Sequence, residues 1–140
     1  MYLEKVGENM EELKQIKYWL ELAEYDLETA KAMLETERLL YVGFMCHQTV
    51  EKALKGYYVF IMKESPVFTH RLTFFTEKTG LENELTEQQK DFIDELEPLN
   101  IEARYPTYKE KLLRSLTQAR CQLIIENTEE FLTWIKKKMR

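Results

Sequence analysis

The sequence predicts an all-α protein, an up-and-down helical bundle of about five helices, three long and two short. Three observations carry that expectation. Only 4 Gly and 3 Pro interrupt 140 residues, and a chain poor in both but rich in Glu, Lys and Leu favours helix. Apolar residues recur three and four apart over long stretches, the period of one helix face. Capping and stop residues fall between those stretches. The length suits a single domain, expected over residues 1–140 with its core at about 11–137.

The first helix is read from Leu13, Ile16, Leu20, Ala23, Leu27, Ala30 and Leu34, with Trp19, Leu22 and Met33 on a second face. Two apolar faces mean more than one packing neighbour, which makes it a bundle helix. The second repeats the spacing at Leu40, Phe44, His47, Val50, Leu54, Tyr57 and Ile61, so His47 sits in the apolar register. Lys63-Glu64-Ser65-Pro66 ends it, because proline disfavours helical geometry in the residue before it.

A short third helix is expected from about His70, with Thr69 as N-cap and Gly80 as C-terminal stop. Thr86 and Gln89 form a capping-box pattern ahead of Phe92, Ile93 and Leu96, in a helix that Pro98 should keep short. "NIEARYPTYKE" reads as an extended connector, and Thr107 with Glu110 as another capping box. The last helix is read on Leu112, Leu116, Ala119, Leu123, Phe131 and Trp134, broadened by Leu113, Ile124 and Ile135. Its closing "KKKMR" puts positive charge where the helix dipole favours it.

Hydrophobic residues make up 44% and charged residues 32% of the chain, which argues against disorder and against a membrane span. A net charge of -5 gives no general attraction to phosphate backbones, so RNA is not a favoured partner without a local basic patch. "MYLEKVGENMEELKQ" alternates acids with lysines and has no apolar core, so no signal peptide is expected and a cytoplasmic protein is. Cys46 and Cys121 lie in apolar helical contexts, where small buried hydrophobes are expected in place of a disulfide.

The chemistry-bearing motifs are few. His47 and Glu51 share a helix face, but no His or Cys pair elsewhere completes a metal pattern, so neither metal nor cofactor is expected. Glycine-built phosphate cradles are absent, and a serine or cysteine nucleophile lacks a recognisable base and orienting partner. Glu51 and Lys55 stand in the favourable i,i+4 order of a surface ion pair, and Lys52 reads as a solvated lysine. Arg104 has the fork that suits phosphate or carboxylate, and Tyr105 could stack on a base. The alternative is that Arg104 caps a helix end and Tyr105 fills the core.

Taken together, "YWLELAEYDLETAKAML", "FMCHQTVEKALKGYY", "THRL" and "ARYP" resemble the HEPN domain family over about residues 18–131. The QxxEKxLK core is Gln48, Glu51, Lys52, Leu54 and Lys55, followed by His70 and the ARYP run. The resemblance implies a homodimeric helical bundle, frequently encoded beside a minimal nucleotidyltransferase as in toxin–antitoxin pairs. It also implies one of two functions. Many members are metal-independent ribonucleases whose catalytic pair is an Arg followed after four to six residues by His; others lack the pair and bind nucleotides or act as non-catalytic partners.

Counting decides between them here, because the chain has only 2 His. After Arg104 the required window holds Lys109, Glu110 and Lys111. Arg71, Arg114 and Arg120 have no histidine downstream, and Arg38 precedes His47 by too many residues. No catalytic residue is assigned. The resemblance therefore implies a binding module, with Gln48, Lys52, His70, Arg104 and Tyr105 as the candidate nucleotide-binding residues. Alternatives are a divergent ribonuclease and a purely structural interaction protein, which exposure of Tyr18 and Trp19 would favour.

Overall fold

Asn9 starts the first helix: its side-chain oxygen accepts hydrogen bonds from the backbone N–H groups of Glu11 and Glu12 at 3.0 and 3.1 Å. The computed structural model describes residues 9–101, 110–111 and 114–140. Among them are α1 (Met10–Glu35), α2 (Leu39–Met62), α3 (Leu72–Lys78), a 3-10 turn (Leu81–Glu84), α4 (Glu87–Ile101) and α5 (Gln118–Lys138). No described residue is in a strand.

α1 and α2 are joined by Thr36, Glu37 and Arg38, a connection short enough to make them antiparallel neighbours. Their mutual contact is the most extensive among the described elements; α5 packs on both, while α3 and α4 pack on α2. α2 is therefore the central helix and is buried on nearly every side between Val42 and Val59. No helix among the described residues is long and apolar enough to cross a membrane.

The apolar register of α1 is buried as expected from Leu13 to Ala30, and Trp19 and Met33 pack against the core from its flank. α2 ends where proline predicts, with Lys63 in the left-handed conformation after Met62. Gly80 stops the segment after α3 at φ +78, a conformation glycine adopts without strain. Both capping-box bonds between Thr86 and Gln89 form, at 2.9 and 3.1 Å. Cys46 and Cys121 are buried free thiols, and burial pushes the Cys46 thiol up to about 12.

Five expectations need correction. α3 starts at Leu72, not near His70, and Thr69 is not its cap. The Glu97 carboxylate, reaching across from α4, accepts from the Leu72 N–H at 2.7 Å instead. Pro98 does not stop α4, which continues through it to Ile101 and is longer than expected. Leu96, Leu99 and Asn100 are buried around the proline, so packing offsets its missing N–H.

The last helix does not run unbroken from Leu112. Leu116 and Thr117 interrupt it, and the Thr117 hydroxyl caps α5 by accepting from Arg120 N–H at 3.1 Å. That break rotates the register: Ala119 and Leu123 are exposed, whereas Cys121, Ile124, Ile125, Thr128, Phe131, Leu132 and Ile135 face inward. The expected Thr107–Glu110 capping box lies outside the described residues. The terminal lysines do more than complement the dipole, since Lys136 pairs with Glu24 of α1 and Lys138 with Glu84 of the 3-10 turn.

Candidate functional site

Five polar side chains occupy two adjacent rows along α2, where residues four apart stand above one another. His47, Glu51 and Lys55 form one row; Gln48 and Lys52 form the other. Lys55 Nζ donates to Glu51 Oε2 at 2.9 Å and lies 5.1 Å from the centre of the Trp19 ring. Glu51 is only 1% exposed and Lys55 7%. The pair is thus buried in the α1–α2 seam, in contrast to the surface position its spacing suggests.

Lys52 is not a free solvated lysine either. Its ammonium donates to Asp26 of α1 at 2.6 Å and to Gln48 Oε1 at 3.2 Å. Gln48 Nε2 in turn donates to Asn100 Oδ1 at the end of α4, 2.9 Å away. The outer row therefore ties three helices together. Asp26, Asn100 and Glu97 are site residues that periodicity missed. The only local signal is that Asp26 adjoins the apolar stripe of α1, where an acid without a partner would be costly.

His70, on the linker before α3, places Nδ1 2.9 Å from Glu51 Oε1. A carboxylate there keeps the proton on Nδ1. The His70 side chain is 38% exposed. One buried carboxylate thus holds Lys55 with one oxygen and His70 with the other.

His47 is fully buried, as its register requires, but it is not the hydrogen-bonded core residue that a buried histidine should be. Neither ring nitrogen has a hydrogen-bond partner among the described residues. Glu51 Oε1 stands 3.8 Å from Nδ1 and Glu97 Oε1 4.0 Å from Nε2. The His70 backbone favours the charged ring slightly, without reaching hydrogen-bonding geometry. Burial dominates and pushes the imidazole down from 6.5 to about 4, so His47 is neutral at pH 7.

Of the sequence-derived candidates, Gln48 and Lys52 touch each other, and His70 joins the neighbouring row through Glu51. Arg104 and Tyr105 lie outside the described residues. No group of three or more described His, Cys, Asp or Glu residues is placed to hold a metal ion. A groove of about 510 Å3 opens elsewhere, between the start of α4 and the end of α5. Its lining includes Gln89, Phe92, Asn127, Glu130 and Trp134 but no Lys, Arg or His, so it offers an anion no positive charge. Tyr18 is 56% exposed, whereas Trp19 is partly buried against the core.

The crystal structure of TT1696 from Thermus thermophilus superposes with a TM-score of 0.75, covering 89% of this chain and 98% of that one. At 19% identity the likeness is one of fold. No curated protein matches the sequence. The HEPN domain model matches residues 16–138, a span that runs from the first turns of α1 to the last residue of α5, and the chain belongs to the HEPN domain family.

Proposed function

We infer that this chain is a binding module, not an enzyme: a homodimeric HEPN bundle that holds a nucleotide or nucleotide-like anion and serves a minimal nucleotidyltransferase partner. The observation that carries this reading is the state of its histidines. His47 is sealed in the core, and neither it nor His70 follows an arginine at the spacing the ribonuclease members use. Binding would use the outer row of α2 together with the connector after α4. Lys52 and Arg104 meet phosphate; Tyr105, His70 and Gln48 meet base or sugar. Gln48 supports the idea because it already reaches Asn100, close to where that connector begins.

The test is thermal unfolding of the purified protein with ATP, GTP, CTP and UTP in turn, repeated on Arg104→Ala. A ligand at about 100 times its dissociation constant stabilises the native state by about 2.7 kcal/mol. Stabilisation of wild type but not of the variant is expected. No stabilisation by any of the four sinks the reading.

One observation favours a second reading. A half-exposed histidine oriented by a buried carboxylate is also how an acid–base group is held ready. A divergent metal-independent ribonuclease using His70 would cleave RNA in the presence of chelator and lose that activity in Arg104→Ala.

A further inference from the structure

The linker from α2 to α3, residues 63–71, carries the most exposed large hydrophobic side chain among those described: Phe68, 90% exposed. A lone surface phenylalanine needs no explanation. This one sits on a linker pinned at three points. Tyr58 Oη donates to Glu64 at 2.7 Å, Ser65 Oγ donates to Gln15 at 3.1 Å, and His70 is held by Glu51 at 2.9 Å. The Phe68 and His70 rings meet edge to face at 5.4 Å. The phenyl ring is thus presented outward beside an imidazole whose orientation a buried carboxylate fixes.

The free chemistry of that imidazole can be specified. With Nδ1–H directed at Glu51, the neutral ring offers a lone pair at Nε2, and the charged ring offers a second N–H. No hydrogen-bond partner for Nε2 is found among the described residues. The linker's formal charge is positive, Lys63 and Arg71 against Glu64, in a chain whose net charge is -5. The acid is already occupied by Tyr58, while Arg71 is exposed with no ionic partner among the described residues.

We propose that Phe68 and His70 form a nucleoside subsite, in which a base stacks on the outer face of the Phe68 ring and His70 Nε2 hydrogen-bonds the ribose. An exposed aromatic face accepts any base, because every base has a π face. A ribose hydroxyl suits Nε2 in either protonation state, since it can donate to the lone pair or accept from the N–H. The subsite rests on the nucleotide-binding reading above and gives it a position that neither Arg104 nor Tyr105 supplies.

The experiment is isothermal titration calorimetry with ATP, GTP, CTP and UTP on wild type, Phe68→Ala, Phe68→Trp and His70→Gln, with sedimentation mass measured for each. Phe68→Ala should fold normally, since the ring is in water, and should weaken binding roughly tenfold, the size of a lost base–aromatic stack. Phe68→Trp should retain affinity or tighten it, and His70→Gln should weaken binding. Wild-type binding that neither Phe68→Ala nor His70→Gln weakens overturns the subsite while leaving nucleotide binding intact at another position. No wild-type binding to any of the four overturns both. Unchanged affinity with a fall from dimer to monomer mass in Phe68→Ala makes the ring a contact between copies, which also overturns the subsite.

Discussion

Glu51 Oε1 stands 2.9 Å from His70 Nδ1 while its other oxygen accepts from Lys55 at the same distance, and the carboxylate itself is almost sealed from water. Glu51 therefore does two jobs: it neutralises a buried ammonium and anchors the linker that precedes α3. Removing it strands the charge on Lys55, and breaking a buried pair by deleting one partner costs about 3–5 kcal/mol. Glu51→Ala should fall in that range in urea unfolding. A loss below about 1 kcal/mol would show that water already reaches the pair.

His47 gives the protein an acid-sensitive core. Its folded-state value, about 4, lies below the ordinary 6.5, so the unfolded chain takes up the proton first as pH falls. Its contribution to stability is therefore complete above about pH 6.5 and is lost progressively down to about pH 4, some 3 kcal/mol in all. Burial causes the shift, against the opposing pull of Glu51 and the His70 backbone and with assistance from the His70 ring and Lys52. His47→Leu cannot take up that proton. The difference in unfolding free energy between wild type and variant should slope between pH 6.5 and 4 and be flat above 7. A flat difference throughout would mean that the imidazole is hydrated in solution.

Asp26 tests the outer row. Its carboxylate and the Lys52 ammonium are 2.6 Å apart, with side chains 10% and 18% exposed. Asp26→Asn should cost roughly 1–3 kcal/mol, because Lys52 keeps its charge and loses the carboxylate that neutralises it. The same change should tighten nucleotide binding, since Lys52 must otherwise leave Asp26 to meet a phosphate. Calorimetry on the single variants and on Asp26→Asn combined with Lys52→Gln separates the two effects. A gain in affinity that survives removal of Lys52 would exclude Lys52 as the phosphate contact.

The helices were legible in the sequence because burial imposes a period, as Leu13 to Ala30 on α1 shows. What could not be read was anything set by a residue distant in the chain. Glu97 caps α3 from 25 positions away, a partner invisible to a local reading that starts the helix at about His70 behind Thr69. Periodicity continued through Leu116 and Thr117 as if nothing happened there, which put Leu123 inside when it is exposed. For the candidate site, spacing correctly pairs Glu51 with Lys55 but puts the pair on the surface, whereas both side chains are buried. The partners Asp26 and Asn100, like the exposure of Phe68, are properties of the assembled bundle.

The two glycines of α2 offer a check on how closely the central helix is packed. A Cβ built on Gly56 would meet Trp19 Cβ at 3.4 Å, Leu20 Cδ2 at 3.6 Å and the Ile16 carbonyl oxygen at 3.7 Å, all ordinary contacts. One built on Gly43 would come within 3.0 Å of Leu99 Cδ1, close enough that the buried leucine must move. Alanine in place of a mid-helix glycine gains about 0.5–1 kcal/mol where it fits. Gly56→Ala should therefore raise the melting temperature by about 2–5 °C. Gly43→Ala should gain less or lose stability, because displacing Leu99 offsets the helix term. If thermal melts put Gly43→Ala above Gly56→Ala, α2 packs more tightly against α1 than against α4, the reverse of what these two glycines show.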